Sequence, residues 1–345
     1  MGGSGSPHPR DLGLAEARGL VQRAVDKAEQ LGLRGGIAVV GASGTLVTAS
    51  RMDGGGPGGM TRARSKAWIS ATQQIPSAEH LHRMTVIAPP VATGFAQASP
   101  EALFPGAGGM PVWAGASGGL SVVAGIAASG ATVSPFFPDG VEPRALSADG
   151  KPANPEDLLI AYALEIPYAG QHGDDQKRWE QRFGDLVVDP ADSLGLATAP
   201  TASGQAQLDW ARALCDAAMA EAERRGLQVA VAVLDRGGDP VQQDLMDGAP
   251  AGGVAVAQAV AGAAALFGFD SGALGARFGH APGTAATPDV PPALAIPAGL
   301  VVPPVLGVPG GLPVRDDGWV VAGFGVGGAP PASCADIART ALASL

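Results

Sequence analysis

The chain has 345 residues, with 22 Lys and Arg against 32 Asp and Glu, a formal charge of −10 and a pI of about 4.9. That balance excludes a nucleic acid or an anionic membrane as partner, because no basic field exists to hold phosphates. Two cysteines, Cys215 and Cys334, lie far apart, which excludes a disulfide framework and a metal-ligand spacing; both read as small buried or half-buried side chains. The length suffices for two domains, each with its own core.

The first ten residues, MGGSGSPHPR, form a polar, flexible tail without the apolar segment of a secretory signal. Leu14, Ala17, Val21, Ala24, Val25, Ala28 and Leu31 recur at helical spacing, so residues 12–31 are an amphipathic helix that Gly32 ends. GIAVV from Gly36 and LVTAS to Ser50 flank the turn Gly41-Ala42-Ser43-Gly44 as a hairpin. A glycine-rich turn, RMDGGGPGG, leads into a second helix from about Gly59 to Gln74. MTVIA from Met84 is a short strand, followed by a loop with Pro89, Pro90, Pro100 and Pro105. GGMPVWA from Gly108 and GGLSVVAGIAASG to Gly130 form a second hairpin, and Asn154 to Ile166 a helix with Pro155 near its first turn. Residues 168–203 read as a linker with a short helix around Trp179.

The same order then returns. A helix from Leu208 to Arg225 precedes strand VAVAVL from Val229, turn DRGG from Asp235 and strand Val241 to Leu245. A glycine turn and an alanine-rich helix follow, then a Pro-rich loop over 281–309, a hairpin from Gly310 to Val326 and a closing helix over 335–345. Val254 to Phe269 is too short, and too rich in small residues, to span a membrane. Met52, Asp53, Gly54 and Gly59 find Met246, Asp247, Gly248 and Gly253, each 194 positions on, so one unit is used twice. The charges are not repeated: Arg51, Arg62, Arg64 and Lys66 become Leu245, Val256, Gln258 and Val260.

Arg62 and Lys66 are four apart and share a helix face. The glycine turn presents backbone N–H groups where the helix dipole also favours an anion. With Arg51 these residues suit a carboxylate or phosphate. The plainer alternative makes Arg62 and Arg64 solvated surface charges and pairs Lys66 with Asp53. Asp53 and Asp247 survive in both copies, which points to capping of the turn or the following helix. In the first copy Asp53 is also placed to act as a base or to orient Lys66. Met110 sits in a loop as core or pocket lining, and Trp113 either stacks on a planar ligand or packs ordinarily. His80 and His82 read as solvated or capping groups ahead of the alternative, haem or metal ligands. No Ser-His-Asp order, phosphate loop or dinucleotide fingerprint is present.

The first helix, the AVV hairpin, Arg51-Met52-Asp53-Gly54, Ala63, Lys66, Ala67, Ala71, Gly108-Gly109-Met110-Pro111 and Gly125-Ile126-Ala127-Ala128-Ser129-Gly130 together resemble the GlcG/HbpS-type haem-degrading domain family, also found as the C-terminal domain of PduO-type proteins. The resemblance covers about 12–166 in motif and 204–345 in element order. It departs at Gly41, where the family has an aspartate that the second copy keeps as Asp235, and at Gly59 and Gly253, where the family has a hydroxyl. The resemblance implies two tandem α+β domains, each a profilin-like sheet of five antiparallel strands flanked by helices, and oligomers built from dimers. The expected division is 1–10 tail, 11–167 first domain, 168–203 linker and 204–345 second, degenerate domain. The expected function is binding of haem or a similar planar acidic ligand at one site per chain, in the first domain near the domain pairing. Arg51, Arg62, Met110 and Trp113 would contact the ligand, and no metal site is expected. The alternative is a metal- and nucleotide-independent enzyme with Lys66 and Asp53 as acid and base on an acidic or aromatic metabolite. A ligand-free assembly subunit is a third reading. A cytoplasmic homodimer is the default expectation.

Overall fold

The structure is a computed structural model that describes residues 12–84, 102–114, 121–131, 154–166, 206–274 and 305–345. The chain divides into two compact units, Met1–Val47 with Gly54–Ala202 and Thr48–Asp53 with Ser203–Leu345. Six residues from the first copy of the sequence, Thr48 to Asp53, thus fall in the second unit.

In the first unit, helix α1 (Leu14–Gln30) buries Ala17, Leu20, Val21, Ala24, Val25 and Ala28 and stops at Gly32, whose φ is 67°. Strand β1 (Gly36–Gly41) is buried along its whole length. It turns through Gly44 into β2 (Leu46–Arg51), of which Leu46 and Val47 belong to this unit, with Gly41 N donating to Thr45 O at 2.8 Å. Helices α2 (Gly58–Gln73) and α3 (Ser77–His82) precede the hairpin β3 (Gly109–Ala114) and β4 (Ser121–Ser129), and α4 (Pro155–Ala163) closes the unit. β4 lies between β3 and β1, antiparallel to both, from Gly36↔Ser129 to Gly41↔Ala124 on the β1 side.

Small residues let α2 rest directly on this sheet. A Cβ on Gly125 would stand 2.1 Å from the Ala67 carbonyl oxygen, so no larger residue fits between helix and strand. Part of the glycine and alanine excess is thus a packing requirement.

The second unit repeats the plan with α5 (Ala206–Arg224), β5 (Ala230–Asp235), β6 (Pro240–Leu245), α6 (Gly253–Phe267), β7 (Gly311–Asp316), β8 (Trp319–Gly327) and α7 (Pro331–Leu342). Gly323 and Gly325 meet α6 as Gly125 meets α2, each with a Cβ position 2.1 Å from a helix carbonyl, of Ala261 and Ala257. The strand order is β6-β5-β8-β7, and the segment from Thr48 to Ser50 pairs with the free side of β6 in the register Thr48↔Asp244, Ala49↔Gln243, Ser50↔Gln242. That seam is polar and buried. Thr48 Oγ1 donates to Asp244 Oδ1 at 2.8 Å, Ser50 Oγ to Gln242 Oε1 at 2.6 Å, and Gln242 Nε2 to both Asp244 oxygens at 2.9 Å. Arg212 of α5 adds a bond to Ser50 Oγ at 3.3 Å. Each buried polar atom of the seam has a partner of complementary kind, which fixes the register.

The α+β class stands, with eight strands among the described residues, four from each copy of the sequence. The five-strand count per domain is not met among the described residues. The strand expected from Met84 does not start there, because the helical turn after α3 continues through Arg83 and Met84; residues 85–88 lie outside the described set, as do Trp179 and the linker. Among the described residues no helix is long and apolar enough to cross a membrane.

Candidate ligand site

Helix α2 carries Lys66 toward the end of β4, where it is buried. Its partner is Glu156 Oε2, not Asp53, which corrects the sequence expectation. Glu156 stands in the first turn of α4, held there by the Asn154 cap, whose Oδ1 accepts from Glu156 N at 2.8 Å and Asp157 N at 3.1 Å. The other Glu156 oxygen accepts from Gly130 N at 2.7 Å and Ala131 N at 3.3 Å, and Lys66 Nζ also reaches Ala128 O at 3.4 Å. Asp157 Oδ1 accepts from Gly108 N at 2.6 Å. The two acids of α4 thus hold the chain just before β3 and just after β4. Gly108 must be glycine: its φ is 99°, and a Cβ would meet that of Glu156 at 2.6 Å.

Beside this buried pair stands a more open cation. Arg62, one helical turn before Lys66, is half-buried, and its Nε lies 3.4 Å from Ser129 Oγ. Its Cζ lies 5.8 Å from the centroid of Phe104, and Lys66 Nζ lies 5.7 Å from the same ring. Phe104 is 47 % exposed, and its backbone N–H is fixed by Ser65 Oγ of α2 at 2.6 Å. Among the described residues Arg62 has no carboxylate within ion-pair distance. The arrangement can hold an acid group on Arg62 and an apolar face on Phe104.

The other expected residues fall elsewhere. Arg51 belongs to the second unit, where it is buried and pairs with Asp235 Oδ2 at 2.5 Å. Asp235, the aspartate retained only in the second copy, also accepts from Gly237 N at 2.8 Å and Asp239 N at 3.0 Å. Burial, and then the charge of Asp235, pushes the Asp239 carboxyl up against the pull of Arg51. Asp53 caps a helix, but the helix is α5: it accepts from Gln207 N at 2.8 Å and Leu208 N at 3.0 Å. Met110 is not in a loop; it lies in β3, fully buried as core. Trp113 stands next to last in β3, opposite Val122 and beside a bulge, and is 49 % exposed. His80 is not solvated but buried, and burial, then Arg83, holds its pKa below the usual histidine range. Both cysteines are buried and free, as their isolation in sequence implied.

Glu156 and Phe104 escaped the sequence reading. Acids in a first helical turn ordinarily complement the dipole, so Glu156 gave no other signal. Phe104 stands in an irregular stretch between prolines, with no period to place it. Among the described residues no group of three or more His, Cys, Asp or Glu is arranged to hold a metal ion.

No curated protein matches the chain. Among solved structures, HbpS is similar at 32 % identity, over 40 % of this chain and 88 % of that one, with a TM-score of 0.33. A double mutant of Streptomyces reticuli HbpS follows at 30 %, over 43 % and 98 %, with a TM-score of 0.33. A PduOC:heme complex is similar at 24 %, over 39 % and 90 %, with a TM-score of 0.33. The family model described as haem degrading protein HbpS-like matches twice, over residues 12–134 and 207–343. With most of its length matched in two successive copies, the chain belongs to the HbpS-like family as a tandem repeat.

Proposed function

We propose that the chain binds a small planar acidic ligand, haem or a molecule like it, at one site in its first unit. The observation that carries this reading is Arg62: a half-buried guanidinium over the exposed Phe104 ring, without an acidic partner among the described residues, in a chain of net charge −10. Such a cation is hydrated when free and stays available to form a charge-assisted bond with an acid group. Membership of a family described as haem degrading supports the choice of ligand class.

Haem fits this residue set in part. Its acid edge suits Arg62 and its ring face suits Phe104, with Trp113 as a second exposed aromatic in the same unit. Met110 is enclosed and Lys66 is held by Glu156, so these residues offer no iron ligand and the reading is confined to binding. The acid and base expected of an enzyme, Lys66 and Asp53, each have a structural partner, which favours binding over catalysis.

The test is an absorbance titration of the full chain with haem. Saturation at one haem per chain is expected, about tenfold weaker in Arg62→Ala and unchanged in Arg51→Ala. A titration that never saturates would sink the haem reading. Equal affinity in Arg62→Ala would remove the site assignment.

A further inference from the structure

We propose that the ligand carries two acid groups and that Arg34 takes the second of them. This rests on the planar-acid reading above and goes beyond it in naming the ligand as a diacid.

Arg34 follows α1 and runs along the start of the glycine turn. A Cβ on Gly54 would lie 3.8 Å from Arg34 Cγ and 4.0 Å from Cδ. Arg62 closes the other end of the turn, with Nη1 2.6 Å from the Cβ position of Gly58 and Nη2 3.6 Å from that of Gly130. Between them the turn is open, since a Cβ on Gly56 would meet nothing within 4 Å. Both arginines are half-buried. Arg34 Nη1 donates to Leu33 O at 2.7 Å, and among the described residues neither guanidinium has a carboxylate in reach. In the same chain Arg51, Arg83, Arg225 and Arg339 all have one.

The second repeat is the internal control. It builds the same turn, with Gly248 at φ 81° where Gly54 has 77°, and the same helix after it. There Arg34 is replaced by Gln228 and Arg62 by Val256. The fold at this place needs neither cation, and the two are lost together. Two guanidiniums that the fold does not require, flanking one open turn, match two acid groups on one molecule.

The probe is an iron-free porphyrin offered to the full chain as its diacid, monomethyl ester and dimethyl ester, followed by fluorescence. Arg34→Gln and Arg62→Val introduce the residues that the second repeat already tolerates, and melting curves confirm that both variants fold. In the wild type each esterified acid is expected to weaken binding about tenfold. Each variant should lose one of those two steps, and the double variant should bind all three forms alike. If Arg34→Gln keeps both steps while Arg62→Val loses one, this inference fails and the planar-acid reading stands. If the wild type binds none of the three, the planar-acid reading falls and takes the inference with it.

Discussion

The two repeats solve one packing problem in opposite ways. In the first, the place where α2 meets the start of β3 holds the ion pair Lys66–Glu156, and Glu156 packs against Gly108. In the second, the equivalent Gly310 looks onto Cys334 and Val260: its Cβ position is 3.4 Å from Cys334 Cβ and 3.7 Å from Val260 Cγ2. Both sets are buried. Burying a lysine and a glutamate costs several kcal/mol of desolvation that valine and cysteine side chains avoid. The apolar version builds the same strand, turn and helix, so the fold does not demand the charged one. The charges of the first repeat are therefore additions to a scaffold that works without them, and they gather around Arg62, Phe104 and the glycine turn.

This contrast can be broken at its centre. Lys66→Met leaves Glu156 buried without its cation and is expected to cost about 3–5 kcal/mol in urea unfolding. Lys66→Val combined with Glu156→Cys imports the second repeat's solution and should recover stability to within about 1 kcal/mol of wild type. A double variant as unstable as the single one would show that the two solutions are not interchangeable.

What the repeats share can be tested next. Gly125→Ala and Gly323→Ala each push a methyl into a helix carbonyl, and each should cost about 2–3 kcal/mol. Unequal losses would mean that α2 and α6 do not rest on their sheets in the same way.

The smallest effect concerns pH. His80 corresponds to Leu274, and both are buried. Because the folded pKa of His80 lies below its ordinary 6.5, the unfolded chain binds the proton more readily. Stability is then full above pH 6.5 and declines as pH falls below it. His80→Leu should flatten that decline in melting curves recorded from pH 7.5 to 5.5. An unchanged slope would assign the pH dependence to other groups.

The fold was legible because its signals are local and doubled. Helix α1 with Gly32, the β1–β2 turn and the α2 helix were placed within a residue or two of where they lie, and the repeat confirmed each by a second occurrence. The site was legible only in part. Arg62 was marked as a candidate by its spacing and by its loss in the second repeat. Glu156 did not, because its partner lies 90 positions away and no local pattern links a helix-start acid to a lysine on another helix. Arg51 and Asp53 misled for the same reason: they neighbour the glycine turn in sequence, but their partners, Asp235 and the start of α5, stand more than 150 positions further on. Met110 misled differently. The glycines before it suggest a loop, while the strand begins at Gly109.

The seam between Thr48–Ser50 and β6 also sets a timetable for synthesis. Its bonds join residues 192 and 196 positions apart. On the ribosome, at about 5–20 residues per second, roughly 10–40 s separate the emergence of the two sides. For that interval the segment is a waiting strand, and the seam cannot form until Asp244 has been made. The hydroxyls of Thr48 and Ser50 suit such a delay, since a polar edge attracts stray strands less than the apolar one that β1 would offer.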